Sequence, residues 1–225
     1  MGRGEDIMFN YEGIEIAWLG HDSFRIKKDT VIYIDPYQLS GSPPKADLVL
    51  ITHDHFDHLS EADVKKVISP ESVVVAPPPC QGQLKELSVK EVRSIQGGQK
   101  TQVGGVEVEA IPAHNVNKFR TPGNPFHPKG TGVGYIVSIE GKRVYHAGDT
   151  DQIPEMAAAK GVDVALLPVS GTYVMTAQEA VEAAKMIQPK VAIPMHFGAI
   201  VGSRADAEAF QQGAPCLVEI LERES

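Results

Sequence analysis

The chain has 225 residues, 42% hydrophobic and 22% charged, an ordinary globular composition with enough apolar residues to bury a core. Its formal net charge of -8 disfavours the basic face expected of a duplex-binding protein. Two isolated cysteines, Cys80 and Cys216, fit reduced thiols rather than a disulfide framework, and no stretch approaches the roughly 18–20 apolar residues of a membrane span. The opening MGRGEDIMFNYEG lacks the basic-then-apolar pattern of a signal peptide, so a cytoplasmic protein is expected.

In chain order, strand-like runs begin with IEIAWLG (14–20), SFRIKK (23–28), TVIYID (30–35) and ADLVLIT (46–52). EIAWL alternates, as a strand with one polar face does, whereas DLVLI is continuously apolar and suits a strand covered on both faces. SEADVKKVI (60–68) opens a helix, with Ser60 and Asp63 in capping-box spacing. Strands SVVVAP (72–77) and GVEVEAIPA (105–113) follow. HNVNKFRTPGNPFHPKGTG (114–132), with three prolines and three glycines, then predicts a long irregular segment of the kind that covers a substrate. Strands resume with GVGYIVSI (132–139), KRVYHAG (142–148) and DVALLPV (163–169). TAQEAVEAAKMIQP (176–189) carries the apolar stripe Ala177, Ala180, Val181, Ala184 and Ile187, with Thr176 and Glu179 in capping positions and Pro189 after the stop. The strand KVAIPMH (190–196) and the helix SRADAEAFQQG (203–213) complete the pattern, which suits a layered mixed α/β or α+β domain.

The residues 53–58, HDHFDH, place three histidines and two aspartates in six positions. Such side chains repel one another unless a divalent cation gathers them, because neutral imidazole and carboxylate are the ligands zinc, manganese and iron take. Four ligand-type groups here, His53, His55, Asp57 and His58, exceed what one loop gives a single tetrahedral ion and suit two neighbouring ions. Neither cysteine lies near, so the closed cysteine-rich structural zinc site is disfavoured. Further ligand types stand where apolar strands end: Asp35, His114, Asp149 and His196. Taken singly, each also reads as an ordinary strand-end or turn residue; the 53–58 cluster is what makes them candidates.

This pattern resembles the metallo-β-lactamase superfamily, whose HxHxDH motif matches 53–58 and whose later histidine, aspartate and histidine match His114, Asp149 and His196 in order. WLGHDSFRI, VYHAGDTD, ALLPVSGTYVMTAQEA and AIPMHFG look like the small prokaryotic metal-dependent hydrolases of that superfamily. These are similar to L-ascorbate 6-phosphate lactonases and, more distantly, to N-acyl phosphatidylethanolamine phospholipase D. The resemblance covers essentially the whole chain and implies an α+β fold, a four-layer αββα sandwich, as one domain over 1–225. By position it assigns His53, His55 and His114 to one metal and Asp57, His58 and His196 to the other. Asp149 would bridge them, and Asp35 would fix a ligand's orientation. No cysteine ligand matches that of the antibiotic-hydrolysing members, and no inserted domain matches that of the nucleic-acid-processing ones.

The expected reaction is hydrolysis of an ester, lactone or phosphodiester by a metal-bound hydroxide at two divalent ions, Zn2+ in the first instance, with Mn2+ or Fe2+ also accommodated. Asp57 is the candidate to orient the nucleophile or take its proton. His21, Lys118 and Arg120 are assigned to contact with a small anionic substrate, and Lys129 is a further cation of the same loop. His146 reads either as a site residue or as a strand residue facing the core. A nuclease, an iron-dependent redox enzyme and a non-catalytic metal-stabilised module are the alternatives. Salt-dependent RNA affinity would favour the nuclease; bound iron with oxygen consumption would favour the redox enzyme.

Overall fold

Runs rich in Val, Ile and Leu bounded by Gly, Pro and Asp turns form strands because branched side chains pack well on a pleated surface. In the computed structural model, which describes residues 8–224, these runs build two seven-stranded sheets. The residues before Met8, which include the first half of the opening MGRGEDIMFNYEG, lie outside the described ones.

The first sheet takes its strands in chain order: β1 (Met8–Tyr11), β2 (Ile14–Gly20), β3 (Ser23–Lys27), β4 (Val31–Ile34), β5 (Leu48–Leu50), β6 (Val73–Ala76) and β7 (Glu91–Ser94). β1 to β4 are antiparallel neighbours, and β4 to β7 run parallel. Helix α1 (Glu61–Val67) makes the crossover from β5 to β6, and the short α2 (Gln81–Leu84) lies between β6 and β7. The second sheet contains β8 (Lys100–Val103), β9 (Val106–Ala113), β12 (Gly132–Ile139), β13 (Lys142–His146), β14 (Val164–Pro168), β15 (Val191–Met195) and β16 (Leu217–Val218). It repeats the plan of the first, antiparallel from β8 to β13 and parallel from β13 to β16. Helices α3 (Ala177–Ile187) and α4 (Arg204–Gly213) make its last two crossovers. A two-stranded hairpin, β10 (Phe119–Thr121) with β11 (Asn124–Pro125), occupies the segment between β9 and β12.

The inner faces meet in one core. Ile14, Ile16, Phe24, Ile26, Ile32 and Leu48 from the first sheet pack with Val108, Tyr135, Val137 and Tyr145 from the second. A separate apolar layer, with Ala17, Tyr33, Val49 and Ile51 against Val64, Val67 and Leu84, covers the outer face of the first sheet with α1 and α2. On the other side Ala180, Val181, Ala184 and Ile187 of α3 are buried on the second sheet. The result is the expected four-layer αββα sandwich. Continuously apolar β5, β6, β14 and β15 are wholly buried because each has cover on both faces.

This topology sets the site. The carboxyl ends of parallel strands, near the point where each sheet changes from antiparallel to parallel pairing, leave a crevice that loops from both sheets can fill. Asp35 follows β4, residues 53–58 follow β5, Asp149 follows β13 and His196 follows β15.

Candidate metal centre

Four hydrogen bonds orient the imidazoles. After β4, Asp35 accepts from the Thr52 backbone N–H at 2.8 Å and from the Thr52 hydroxyl at 2.5 Å. Its Oδ2 also accepts the His58 Nδ1–H at 2.7 Å. With its own proton committed to Asp35, the Thr52 hydroxyl accepts from His53 Nδ1 at 3.0 Å. Ser170, two residues past β14, accepts from His196 Nδ1 at 2.9 Å. Asn115 Oδ1 accepts from both the backbone N–H and the Nδ1–H of His127, at 2.8 and 3.0 Å. These partners assign the proton of each neutral ring to Nδ1, which turns the Nε2 lone pair inward.

The inward nitrogens surround Asp149. Its Oδ2 lies 3.1 Å from His127 Nε2, 3.4 Å from His196 Nε2 and 4.0 Å from His53 Nε2; its Oδ1 lies 3.4 Å from His58 Nε2. Two overlapping sets result. His53, His55 and His127 present ligand atoms within 4.8 Å of one another, with His53 Nε2 3.0 Å from His55 Nδ1. His21, Asp22, His58 and His196 form the second set, and His53, His58 and Asp149 link the two. Asp57 Oδ2 stands 3.8 Å from His58 Nε2 and 3.1 Å from His21 Nε2.

Buried His58 Nε2, Asp149 Oδ1 and both oxygens of Asp22 have no hydrogen-bond partner. Orphaned buried polar atoms of this kind each cost about 1–3 kcal/mol, and more when charged. A divalent cation satisfies lone pairs and carboxylates together, so the donor set fits one. The electrostatics agree. Burial works to raise the Asp149 carboxyl, but the surrounding His58, His196 and His127 hold it well below the usual carboxylate range. Burial holds His53 well below the usual imidazole value, leaving it neutral and able to ligate.

The backbone is shaped to bring these groups together. Gly148, before Asp149, has φ +64, and a Cβ there would stand 2.8 Å from the Val133 carbonyl. His21 and His196 are also left-handed, at φ 52 and 61. The His21 carbonyl accepts both the Trp18 indole N–H at 2.8 Å and the His196 N–H at 3.1 Å, and Trp18 stacks on Phe197. Strain of about 1–3 kcal/mol at such a residue persists only when its surroundings over-determine it, as they do here.

Comparison with known proteins accords with this geometry. Residues 15–196 match the beta-lactamase superfamily domain. A metal-dependent hydrolase of Methanopyrus kandleri is 36% identical over 217 residues, covering 88% of this chain and 90% of its own length. One from Koribacter versatilis is 34% identical, with 88% and 92% covered. The chain belongs to the beta-lactamase superfamily of metal-dependent hydrolases. Among solved structures, a protein of Parabacteroides distasonis described as a metal-dependent hydrolase superposes with a TM-score of 0.81 at 31% identity, covering 96% of this chain and 98% of that one. A metallo hydrolase of Ignicoccus hospitalis gives 0.75 at 25% identity, with 94% and 96% covered.

In this hydrolase three expected residues stand elsewhere. His114 is absent from the ligand-atom sets among the described residues. Its backbone is tied to Thr150 and Asp151, and its buried ring is influenced by Glu155, Lys129 and Asp151 instead of the other histidines. His127, thirteen residues later and not singled out from the sequence, stands beside His53 and His55 instead. Lys118 does not face a substrate either: its ammonium is held by Glu179 at 2.8 Å and by Asp151 at 3.4 Å. His21 contacts Asp57 and lies among the ligand atoms, deeper than a rim residue. Of the further cation and histidine, Lys129 pairs with Glu155, and His146 is a core residue that donates to the Asp22 carbonyl at 2.9 Å and accepts from Gly148 N–H.

Arg120 does reach the entrance. It lies over the Phe126 ring, 5.0 Å from the centroid, and has no ion-pair partner among the described residues. Together with Phe56, Tyr173, Ile200, His55, Asp57, His127 and Asp149, these two line a cavity of about 460 Å3. No helix among the described residues is long and apolar enough to cross a membrane.

Proposed function

We propose that residues 1–225 act as one dinuclear hydrolase that cleaves an ester, lactone or phosphodiester bond of a small anionic substrate. His53, His55 and His127 would hold an outer cation; Asp57, His58 and His196 would hold an inner one; Asp149 would serve both. The observation that carries this reading is the convergence of unpartnered His58 Nε2 and Asp149 Oδ1 on one point between two histidine sets. Two divalent cations bound there supply hydroxide at neutral pH and neutralise charge developing on the substrate oxygen.

The chain's own residues supply the remainder. Asp35, Thr52, Asn115 and Ser170 fix the ring orientations, so little reorganisation accompanies the reaction. Burial works to raise the Asp57 carboxyl, but the hydrogen bond from His21 and the nearby His58 together outweigh it and hold the group low, as an ionised acceptor. Asp57 lines the cavity, within reach of an attacking water, and His21 behind it can share the proton that Asp57 receives. Arg120 offers a planar donor to an anionic group, and Phe126, Phe56 and Tyr173 offer apolar surface beside it.

The test is elemental mass spectrometry on untagged protein, followed by assays with lactones, carboxylic esters and phosphodiesters. About two equivalents of Zn2+ or Mn2+ and turnover of one of these classes is the expected result. Bound iron with oxygen consumption would replace hydrolysis with redox chemistry, and failure to bind any metal after reconstitution would sink the mechanism.

A further inference from the structure

Asp22 lies outside the ligand set assigned above, yet it is the side chain in most need of a partner. It is fully buried, and neither carboxylate oxygen has a hydrogen bond. Its Oδ2 stands 3.6 Å from His58 Nε2 and 3.9 Å from both His21 Nε2 and His196 Nε2. These separations are too long for hydrogen bonds. They approach the spacing of ligands around one ion, since donors about 2.1 Å from a cation stand about 3.0 Å apart at an octahedral edge and about 3.4 Å at a tetrahedral one.

The surroundings of His58 sharpen the point. With its Nδ1–H given to Asp35, its Nε2 lone pair faces three carboxylates, Asp149 at 3.4 Å, Asp22 at 3.6 Å and Asp57 at 3.8 Å. Four electron-rich atoms so close repel unless positive charge lies between them. The chain also fixes Asp22 from behind, because His146 donates to its carbonyl and the adjacent His21 carbonyl takes two hydrogen bonds. A carboxylate placed only to support the fold would be hydrogen-bonded.

We propose that Asp22 is a third carboxylate ligand of the inner cation, beside Asp57 and Asp149, and that it biases this position toward Mn2+ over Zn2+. The inference rests on the dinuclear reading above. The outer position then has three imidazoles and one shared carboxylate, a set suited to four-coordinate zinc. The inner has two imidazoles and three carboxylates, with His21 close by, and suits a harder cation that accepts more ligands. One chain thus presents two unlike sites a few ångströms apart.

The experiment compares wild type with the isosteric Asp22→Asn, each stripped of metal and then given equal Mn2+ and Zn2+. Elemental analysis reads metal per chain, chelator competition reads affinity, and thermal unfolding reads the stripped forms. Wild type should retain both metals. Asp22→Asn should lose Mn2+ preferentially, with inner-site affinity falling at least about tenfold. Stripped Asp22→Asn should melt no lower than stripped wild type, because a buried unpaired acid has been replaced by a neutral amide. Unchanged metal content and Mn2+ to Zn2+ ratio would overturn the role of Asp22 while leaving the dinuclear hydrolase intact. A stripped variant that melts well below stripped wild type would assign Asp22 to the fold and likewise overturn it. A wild type that binds neither metal would overturn both.

Discussion

Four imidazoles of the centre, those of His53, His58, His127 and His196, have Nδ1 committed to a neighbour and Nε2 turned inward, and the committed nitrogen decides what the other can do. Asn115 does this for His127, holding Nδ1–H while its own amide N–H donates to Asp151 and to the Tyr173 carbonyl. His127→Ala should therefore lose about one metal equivalent by elemental analysis, whereas His114→Ala should keep both; the reverse result would restore the assignment made from the sequence. Asn115→Ala should weaken outer-site affinity by about 10–100-fold in chelator competition, through loss of that orientation alone. Arg120→Ala should raise KM for an anionic substrate roughly tenfold with kcat little changed, the pattern of lost binding without lost chemistry. The cluster 53–58 was legible in the sequence because four ligand types crowded into six positions would repel one another without a cation between them. The choice between His114 and His127 was not legible. Both lie between β9 and β12, and no periodicity fixes the path of an irregular segment. The one available signal was that PFHPKG puts a histidine beside the strand that resumes at Gly132. Asp22 was hidden for another reason: a single carboxylate after His21 looks like a turn residue until the second sheet is laid against it.

At the scale of elements, legibility followed burial. All ten strand runs read from the sequence are strands, and Ile14–Gly20 and Gly132–Ile139 coincide with the runs end to end. The strands that escaped are short and mostly exposed or partly buried: β1, β7, β8, the hairpin β10–β11 and β16. Edge strands bury little, so their sequences need no apolar pattern. The segment 114–132 is more ordered than its composition suggests, because it is tied to the start of α3. Glu179 closes the α3 capping box with Thr176 and also receives Lys118 and Asn117. Burial tends to raise its carboxyl, but the Lys118 ammonium, the Thr176 N–H and Asn117 outweigh this and hold it at about 2, below the ordinary 4.5. A depressed carboxyl contributes stability that is full above the unfolded value and is lost as pH falls through the folded one. Glu179→Gln should thus cost about 1–2 kcal/mol at pH 7 in denaturant unfolding, with the difference shrinking between pH 4.5 and 2. A pH-independent difference would show that the cap's shape matters and its charge does not.

Across the whole molecule the centre lies on the seam between the sheets. His21, Asp22, His53, His55, Asp57 and His58 leave strands of the first sheet; Asp149 and His196 leave strands of the second, and His127 precedes β12 of the second. Cations bound there would therefore join the two halves of the sandwich as well as serving chemistry. At a thousandfold excess over Kd each would add about 4 kcal/mol, and at about 2–4 °C per kcal/mol for a chain of this size, removing both should lower Tm by about 16–32 °C. Calorimetry before and after chelation checks this, and a shift below a few degrees would deny the cations a structural part. The overall fold was legible as a family resemblance, whereas the apolar part of the cavity wall was not, since Phe56, Phe126, Tyr173 and Ile200 come from four separate segments.

Ligands shared across that seam would give the cations a further part, in the protein's survival. A protease acts on the fraction of molecules that has opened, and a sandwich fastened by metal opens less often. In cells short of the metal, the molecules cleared first would be those that had failed to acquire it. Pulse proteolysis with and without chelator would measure this selection directly, and would show whether metal supply sets the lifetime of the chain as well as its activity.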